Sequence, residues 1–572
     1  MNIILNGKKI EGEEGKTILE ICANQGINIP TLCYHKNLPP ESRCRICLVD
    51  LNGKLVTSCS TKPKEGDKIL TKTRRVLKAR RINMELMSPG IDIKKLGKDF
   101  EAKKIYEEVG VDNERFKSKR KIYKEVGLDN ERFKSKRNYL PDLGDSLVRD
   151  NNKCINCGKC VQVCSQIQQI YAIDFASRAH NEHVTPYCEK NLKDIACIRC
   201  GQCLINCPVG AITEVSHLKE VEAALNNNNK HVIAQTAPSV RAALGELFDM
   251  KIGTLVTGKM VTALKDCGFD KVFDVNLGAD MTIMEESAEL IKRIESKGTL
   301  PLITTCCPAW ILMMEQFYPE LIPNMSTCKS PHEMLGALIK NYYAEKVNIK
   351  KKDIVVVSIM PCVAKKFEST RPELDTDVDF VLTTRELGRL IKKKNLDFAN
   401  LEDSEFDPTL GLATGAGDIF GAAGGVMEAA LRTAYELITK KKLENIEFKS
   451  LHKFEGIKEG SIKLGKKTIR FACANGGANI RELVKNKNKY DFIEMMACPG
   501  GCVGGGGQPI YFDDKTLKLR SKALYSSDRM KKYRKSHENP IVKEIYKKYI
   551  GNPGDKKAKK LLHTKYKKRS CF

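Results

Sequence analysis

Apolar residues beyond residue 215 recur in two alternating patterns. Strand-length runs such as HVIAQTA, IVVVSIMP and FIEMMAC alternate with stretches of helical period such as MTIMEESAELIKRIE and GGVMEAALRTAYELI. Strands that alternate with helices are typical of a layered α/β domain. The pattern therefore predicts a large α/β domain over residues 216–572. We expect its Lys-rich end, KKAKKLLHTKYKKRSCF, to be a solvated tail.

The preceding 215 residues divide into three segments. Residues 1–75 carry short alternating runs broken by Gly, Pro and Asn, which predicts a small β-rich domain with one helix in TILEICANQG. Residues 76–145 are basic and helical in period, and KIYEEVGVDNERFKSKR at 104–120 recurs at 121–137 as KIYKEVGLDNERFKSKR. Two copies are too few for a solenoid, so a duplication inside an exposed linker is favoured. Residues 146–215 are dense in Cys, and we expect metal to hold them together.

Composition narrows the class of protein. The 572 residues include 23 Cys, which gather in short clusters and indicate metal ligation in a reducing compartment. No secretory leader and no apolar run of about 18 residues is visible, which favours a cytoplasmic protein without a membrane partner. The formal net charge of +26 suits an acidic protein partner. Nucleic acid is disfavoured, because no recognition motif and no alternation of aromatic with basic residues is present.

Two cysteine runs between residues 154 and 208 give the strongest chemical signal. Their spacing, with the last Cys followed by Pro208, is that of bacterial two-cluster ferredoxins, in which the fourth Cys of each run binds the other cluster. We therefore predict two 4Fe-4S centres, one held by Cys154, Cys157, Cys160 and Cys207, the other by Cys197, Cys200, Cys203 and Cys164. A pair of zinc sites is the alternative, although zinc usually takes two separated CxxC pairs.

The N-terminal domain contains a further group of four cysteines. Cys33, Cys44, Cys47 and Cys59 resemble plant-type 2Fe-2S ligation, although the gap between the first two is longer than the plant spacing. A single CxxC with two outlying cysteines leaves zinc open as an alternative.

Three motifs of the large domain contain the remaining ligand candidates: TTCCPAW at 304–310, MPCVAKKFE at 360–368 and EMMACPGGCVGGGGQP at 494–509. Each follows a strand-like run, and ligands of open α/β sheets bind beyond the carboxyl ends of strands. We therefore predict one four-thiolate site, formed by Cys307, Cys362, Cys498 and Cys502. Neighbouring side chains on extended backbone face opposite ways, so the adjacent Cys306 needs a separate role. The segment GAGDIFG has Phe420 where a dinucleotide fingerprint needs Gly, and we interpret it as a tight turn.

These motifs, in this order behind two ferredoxin-type runs, resemble those of the iron-only (FeFe) hydrogenases of the monomeric clostridial type. Of the family patterns TSCCPxW, MPCxxKxxE and ExMACxxGCxxGGGQP, this sequence departs only at Thr305. The resemblance covers nearly the whole chain. It implies an α/β and α+β multidomain fold: a β-grasp 2Fe-2S domain, a two-cluster ferredoxin-like domain and an α/β domain with two sheets flanked by helices. The implied activity is that of a ferredoxin hydrogenase, which reversibly reduces protons to dihydrogen.

The resemblance also implies the cofactors and partners. The four thiolates would hold the H-cluster, a 4Fe-4S cubane linked through Cys502 to a two-iron unit with CO, CN and an aza-dithiolate. Electrons would come from ferredoxin or a similar acidic carrier, and maturation proteins would supply the two-iron unit. Relatives of this length usually carry one more 4Fe-4S centre, held by one His and three Cys. Residues 76–145 contain neither residue type, so we expect that centre to be absent.

Individual site residues follow from the same resemblance. Cys306 would be a proton-relay thiol at the end of a channel through Glu286, Glu289, Arg293 and Ser326. The first three channel residues share one helical face, a pattern that elsewhere is usually an ion-paired surface. Lys365 would donate a charge-assisted hydrogen bond to a cyanide nitrogen. The rest of the pocket would comprise Pro238, Ser239, Met360, Phe420 and Met496.

Three alternatives stay open at this stage. His332 stands where many relatives carry Gln, so a pocket contact and a purely structural role are both possible. A hydrogen or redox sensor of the same fold would show a lost relay thiol or an added signalling domain, and neither is visible. An iron-sulfur electron carrier or assembly protein would show eroded motifs, whereas TTCCPAW and MPCVAKKFE are intact.

Overall fold

The computed structural model describes residues 1–87, 96–97, 100–110, 140–178, 182–375, 377–465, 467–510 and 513–570. Its N-terminal part is a five-stranded sheet of order β2-β1-β5-β3-β4. The strands are β1 Asn2–Leu5, β2 Lys8–Glu11, β3 Leu48–Leu51, β4 Lys54–Thr57 and β5 Lys68–Leu70. Strands β1 and β5 pair in parallel, and helix Ile18–Asn24 begins at a capping box of Thr17 and Glu20. The predicted β-rich domain with one helix is confirmed.

Two helices, Arg74–Met87 and Glu101–Val109, are described in the basic segment that follows. Their buried Met84, Ala102, Ile105 and Tyr106 join one apolar cluster with four cysteines of the N-terminal and two-cluster parts: Cys33, Cys44, Cys157 and Cys207. Apolar packing therefore joins the N-terminal part to the two-cluster part. Residues 111–139, with most of the tandem repeat, lie outside the described residues, so the linker prediction stays a prediction.

The cysteine-rich part contains little regular structure. It has five short strands: β6 Asp142–Leu143, β7 Leu147–Arg149, β8 Ile173–Ala176, β9 His183–Pro186 and β10 Ile212–Glu214. Strands β10, β7 and β6 form one sheet, and β8 pairs with β9. Two single-turn helices, Lys159–Gln162 and Gln202–Ile205, each begin after a glycine of positive φ within a cysteine run. These left-handed glycines let the backbone turn sharply between successive thiols.

The large C-terminal part contains two sheets, as predicted. Its strands are β11 His231–Thr236, β12 Lys271–Asp274, β13 Leu302–Ile303, β14 Ile354–Met360, β15 Phe380–Thr383, β16 Ile457–Leu464, β17 Lys467–Asn475 and β18 Phe492–Met496. The first sheet, of order β12-β11-β14-β15, is parallel throughout. The second, of order β13-β18-β17-β16, is parallel except for the β16–β17 hairpin. The carboxyl ends of β11, β14, β13 and β18 therefore come from two separate sheets.

Helices cover both sheets of this part. The α-helices are Leu218–Leu225, Pro238–Arg241, Thr257–Cys267, Val275–Glu295, Pro308–Phe317, Pro331–Leu338, Ala344–Val347, Ala364–Glu368, Thr384–Lys393, Gly415–Ile419, Gly425–Thr439, Lys449–His452, Gly477–Lys485, Asp514–Met530, Pro540–Ile545 and Lys556–Leu562. The segment GAGDIFG, interpreted as a tight turn, contains the short helix Gly415–Ile419. Across the described ranges, no helix is both long and apolar enough to cross a membrane.

The long helix Val275–Glu295 is the central element of the large part. It packs against helices Pro331–Leu338 and Gly425–Thr439. Gly278 makes the first contact possible, because a Cβ at this position would lie 2.1 Å from the carbonyl oxygen of Pro331. Glu285 and Glu286, further along the same helix, are buried.

The C-terminal tail is not solvated over its whole length, contrary to our expectation. Ala558 and Leu562 of helix Lys556–Leu562 are buried. Beyond the helix, the Arg569 guanidinium pairs with the buried Glu315, and the Tyr566 hydroxyl donates to the carbonyl oxygen of Cys328. The expectation was wrong because apolar residues between the lysines, Ala558 and Leu562, are buried in the fold.

Candidate active site

The three cysteine motifs of the large part meet at one cavity. It has a volume of about 80 Å³ and lies beyond the carboxyl ends of strands from both sheets. Its wall contains the four predicted ligand thiols and the relay candidate: Cys307, Cys362, Cys498, Cys502 and Cys306. Four thiols from three distant segments thus face one enclosed space.

Strand ends position the first motif. Strand β13 ends at Ile303, and the Thr304 amide extends its ladder to the carbonyl oxygen of Ile493, at 3.0 Å. The Thr305 hydroxyl then donates to the carbonyl oxygen of Cys328, at 2.8 Å. Cys307 has an extended backbone and precedes the first turn of helix Pro308–Phe317. Its thiol and that of Cys306 both reach the cavity, so the adjacent side chains diverge less than extended backbone alone would suggest.

The other two motifs enter from β14 and β18. Cys362 follows Met360 at the end of β14, and Cys498 follows Met496 at the end of β18. Gly505, beyond Cys502, packs against the second motif, since a Cβ there would lie 2.1 Å from the carbonyl oxygen of Pro361. The glycine-rich stretch therefore serves close packing of the two ligand loops as well as the cavity wall.

The donor set and the walls fit an iron-sulfur group. Thiolates are the ligands that iron-sulfur clusters take, and no carboxylate lines the described wall of the cavity. All the predicted pocket residues lie in the wall: Pro238, Ser239, Met360, Lys365, Phe420 and Met496. A mainly apolar cavity whose wall contains four thiols and one ammonium group suits an anionic group held by thiolates.

Lys365 is held by a buried polar group that the sequence reasoning did not assign. Its ammonium donates to Glu368 at 2.6 Å and to the carbonyl oxygen of Cys306 at 3.3 Å. Burial disfavours the charged ammonium, but the Glu368 carboxylate outweighs burial and holds the pKa of Lys365 above its usual value. A cation therefore stays at the cavity wall. The signal for Glu368 was present, because it follows Lys365 by three residues on helix Ala364–Glu368.

His332 has both of the roles left open. It lines the cavity, and its ring is fully bonded on the other side. Nδ1 lies 3.1 Å from the Ser358 hydroxyl, while Nε2 lies 2.7 Å from Glu368 and 3.0 Å from Glu333. Burial and Lys365 lower its pKa, but the two carboxylates prevail and raise it above the ordinary value. His332 thus orients Glu368, which in turn holds Lys365.

Three of the four predicted channel residues are hydrogen-bonded to one another outside the cavity. Glu289 accepts from Arg293 at 2.6 Å and from the Ser326 hydroxyl at 3.2 Å. Glu286 is buried on the same helix and interacts electrostatically with Cys306. Glu289 and Arg293 are each about one-seventh exposed, at 15% and 14%. The group therefore extends from the cavity side to the surface.

Glu286 is the unusual member of this group. Burial raises its pKa to about 8, and the charge of Glu289 adds to the rise. Ser326 and the Thr305 amide lie near enough to offset part of it. Neither carboxyl oxygen makes a hydrogen bond of normal geometry with any described residue. A carboxyl group with this pKa is mainly protonated at neutral pH.

The structure places the fourth cysteine of each run beside three cysteines of the other run. One small cavity, of about 20 Å³, is lined by Cys154, Cys157, Cys160 and Cys207. The other group contains Cys164 with three thiols of the second run. Burial raises the pKa of Cys203, and the nearby thiols of Cys197 and Cys164 add to the rise. The structure therefore brings the fourth cysteine of each run to the opposite group.

The iron-sulfur sites lie in a series. The carbonyl oxygen of Cys200 lies 3.9 Å from Sγ of Cys498, so the second group adjoins the large cavity. At the other end, Cys33 and Cys44 share an apolar cluster with Cys157 of the first group. The N-terminal thiols are paired: Cys44 raises the pKa of Cys33, and Cys59 raises that of Cys47. The described chain thus contains a continuous succession of thiol groups from the N-terminal part to the cavity.

Thr327, His563 and Glu285 were missed by the sequence reasoning. The Thr327 amide donates to Glu289 at 3.1 Å, and its hydroxyl lies 2.7 Å from Nδ1 of His563. Glu285 is adjacent to the predicted Glu286, but the sequence alone does not show which of the acidic residues on this helix are buried. The C-terminal segment containing His563 had been interpreted as solvated.

Comparisons with known proteins agree with the site. The C-terminal domain of the iron only hydrogenase large subunit matches residues 230–506, and the iron hydrogenase small subunit matches 514–569. A 2Fe-2S iron-sulfur cluster binding domain matches residues 1–74, and a 4Fe-4S dicluster domain matches 153–211.

Similar proteins cover the whole chain. The NADP-reducing hydrogenase subunit HndD of Solidesulfovibrio fructosivorans is 42% identical over 100% of this chain and 99% of its own. Iron hydrogenase 1 of Clostridium pasteurianum is 41% identical over 99% and 100%. The structure of a variant of apo [FeFe]-hydrogenase HydA1 from Chlamydomonas reinhardtii is 40% identical over 62% of this chain and 100% of its own, with a TM-score of 0.56. The chain therefore belongs to the iron-only hydrogenase family, and it is an oxidoreductase that couples protons and dihydrogen to 2Fe-2S, 4Fe-4S and H-cluster centres.

Proposed function

We propose that protons travel between the cavity and solvent through Cys306, Glu286, Ser326 and Glu289, with Arg293 fixing the outer end. The observation that carries this proposal is the buried Glu286, which has no hydrogen-bond partner among the described residues and a pKa of about 8. A group that titrates near the working pH can both accept and release a proton. Glu286 lies between Cys306 and the Ser326–Glu289 pair, so it can exchange protons with either side.

Four thiolates would hold the H-cluster in this proposal: Cys307, Cys362, Cys498 and Cys502, with Cys502 as the bridge. When bound, the cluster supplies the redox chemistry of dihydrogen. The chain's own part is to bind it, exclude water and deliver protons. Pro238, Met360, Phe420 and Met496 exclude water, and Ser239 adds a hydroxyl to the wall. Lys365, held by Glu368, places a permanent positive charge beside the bound group.

We infer that the chain divides into four parts at about residues 75, 145 and 215. Centres in the N-terminal and two-cluster parts would carry electrons to the cavity of the large part. The N-terminal site would hold a 2Fe-2S centre through Cys33, Cys44, Cys47 and Cys59. The two crossed groups would hold 4Fe-4S centres, the second of which adjoins the cavity through Cys200 and Cys498. Maturation proteins would supply the two-iron unit, and cysteines kept for metal would require a reducing compartment such as the cytoplasm.

An acidic carrier such as ferredoxin is the proposed electron donor. A surface cleft beside the second cysteine group is lined by the exposed lysines Lys190, Lys193, Lys567 and Lys568 and by Asp145 and Asp194, and we call it the basic cleft. Ile195 and Arg199 also line it, and the Arg199 amide donates to Sγ of Cys197 at 3.4 Å. Lysines above a cluster ligand would steer a negatively charged protein towards that cluster.

The relative HndD suggests a second donor. Its name makes it a subunit of an NADP-reducing hydrogenase. In this chain the one glycine-rich segment near a dinucleotide pattern has Phe420 in the cavity wall. NADPH would therefore have to deliver electrons through a separate subunit. Dihydrogen evolution by the isolated chain with reduced ferredoxin, but not with NADPH, is the expected result.

The test of the proton route is the Cys306→Ala variant. With methyl viologen as donor and the two-iron unit loaded, dihydrogen evolution should fall to near nothing. Infrared bands of CO and CN should remain, because Cys306 is not a proposed ligand. Full activity with these bands present would refute the route through Cys306, whereas loss of the bands would refute the ligand assignment.

A further inference from the structure

Polar side chains continue from Glu289 away from the cavity. Oε2 of Glu289 accepts from the Thr327 amide at 3.1 Å, and the Thr327 hydroxyl lies 3.5 Å from the same oxygen. On its other side this hydroxyl lies 2.7 Å from Nδ1 of His563. Nε2 of His563 lies 2.9 Å from Oε2 of Glu285. Glu289 is therefore connected through one hydroxyl to an imidazole near the C-terminus.

The backbone fixes this imidazole independently of its side-chain bonds. His563 directly follows helix Lys556–Leu562, and the chain there pairs with the segment 327–329. The Lys329 amide donates to Leu562 and the Thr564 amide donates to Thr327, each at 2.8 Å. The ring is thereby held against Thr327, and its side chain keeps 11% of its surface exposed. The ring can therefore contact solvent while it stays beside the Thr327 hydroxyl.

Arg293 cannot serve as the group that exchanges protons with solvent. Guanidinium groups do not release a proton in proteins. Its nitrogens also donate to Glu289 and to four backbone carbonyls, those of Thr299, Pro323, Asn324 and Met325. Imidazole, in contrast, is the side chain that takes up and releases protons near neutral pH. The outer end of the relay thus has one fixed cation and one exchangeable group.

Resting on the proton route proposed above, we propose that His563 exchanges protons with solvent and passes them through the Thr327 hydroxyl to Glu289. In the direction of proton reduction, His563 takes a proton from water at the surface. It gives a proton from Nδ1 to the Thr327 oxygen while the hydroxyl proton moves to Glu289. The opposite transfers restore the group when dihydrogen is oxidised.

The groups facing His563 suit this role. Glu285 accepts from the Tyr546 hydroxyl at 2.6 Å and from the Gly554 amide at 2.8 Å, so its position behind the ring is fixed. Burial raises the pKa of Tyr546, and Glu285 adds to the rise. Burial also raises the pKa of Cys328, whose backbone pairs with His563. Both stay neutral at working pH, so neither adds a charge beside the ring.

The test replaces His563 by Gln in the mature holoenzyme. Gln can still hydrogen-bond to Thr327 and Glu285 but cannot titrate. We expect viologen-driven dihydrogen evolution to fall at least about tenfold, the pH profile of the activity to change and the solvent deuterium isotope effect to rise. A wild-type profile in the His563→Gln holoenzyme would overturn the proposal.

Two further variants keep the test decisive if that one is poorly folded. Thr327→Val removes the hydroxyl link and should give the same loss, whereas Tyr546→Phe removes a bond to Glu285 outside the path and should leave the pH profile unchanged. Added imidazole should restore His563→Ala but not Thr327→Val. If only the proposal for His563 is wrong, the Cys306→Ala variant will still be inactive. If the whole proton route is wrong, the Cys306→Ala variant will be active.

Discussion

Replacing Glu286 by Gln should make the protein more stable in alkali and abolish its turnover. The folded protein holds the pKa of this carboxyl group at about 8, against an ordinary value of 4.5, mainly because burial disfavours the charge. The folded state therefore binds this proton more tightly than the unfolded chain does. The stability that results is complete below about pH 4.5 and is lost as the pH rises to about 8. A glutamine at this position has no proton to lose.

The expected magnitude follows from the same pKa. Between pH 5.5 and pH 9, the wild type should lose roughly 3 kcal/mol that Glu286→Gln keeps, at about 1.4 kcal/mol for each pH unit below 8. Amide hydrogen exchange of helix Val275–Glu295, compared between variant and wild type at both pH values, measures this difference. About 100-fold slower relative exchange of the variant at pH 9 is expected.

Activity supplies the second half of this test. Loss of a general acid–base group should lower dihydrogen evolution by at least about 100-fold. Glu295→Gln, at the exposed end of the same helix, is the matched control and should change neither quantity. Equal protection of Glu286→Gln and wild type at both pH values would show that the carboxyl group does not titrate near pH 8. Retained activity would show that protons bypass it.

The remaining predictions concern the donor, the helix packing and the cavity cation. Replacing Lys190, Lys193 and Lys568 of the basic cleft by Glu should raise the KM for reduced ferredoxin at least about tenfold and weaken its salt dependence, with methyl viologen activity unchanged. The same change at the exposed lysines 440–442 is the control. An equal rise in KM there would show that the net charge of the protein, and not the basic cleft, causes the effect. Gly278→Ala should destabilise the large part by about 1–3 kcal/mol in denaturant unfolding, because the new Cβ meets the Pro331 carbonyl at 2.1 Å. Lys365→Met should lower turnover at least about 100-fold while the iron content of the other centres stays constant, and unchanged turnover would remove the need for a cation at the wall.

The sequence predicted most of the cavity because its residues lie in short continuous motifs. A cysteine just beyond an apolar strand can be placed from the chain alone, since the carboxyl ends of parallel strands meet at one edge. The sequence did not show that β14 belongs to one sheet while β13 and β18 belong to another. Strand order depends on long-range pairing, which local apolar patterns do not record.

The polar groups behind the cavity were harder to predict. His332 and Glu333 come from one helix and Glu368 from another, and folding places both carboxylates within 3.0 Å of Nε2 of His332. His563 was missed for a different reason: its segment is dominated by Lys, and charged residues mask the apolar contacts that fix it. Partners of high sequence separation leave no periodic signal in the chain.

One short helix connects the cavity to the relay. Helix Pro238–Arg241 lines the cavity at its first residues and ends at the buried Arg241. The Arg241 guanidinium donates to Asp274 at 2.6 Å and to Asp418 at 3.2 Å, and Asp274 caps the long helix Val275–Glu295 through its Asn276 amide. Burial disfavours the guanidinium charge, but the two carboxylates hold the pKa of Arg241 above its usual value, so the network stays charged.

A buried ion pair adds little net stability, but it tolerates only one geometry, because either partner left alone is strongly penalised. The start of the long helix is thereby fixed relative to the cavity wall. Glu286 lies three turns further along the same helix, so its position is fixed as well. Ordinary apolar packing would permit the helix to slide by fractions of an ångström at small cost. Proton transfer between a thiol, a carboxyl group and a hydroxyl does not tolerate such movement, since each transfer requires hydrogen-bond contact. The charged network at the helix start and the titratable groups in its later turns are therefore two parts of one arrangement, in which buried charge sets the distances that proton transfer needs.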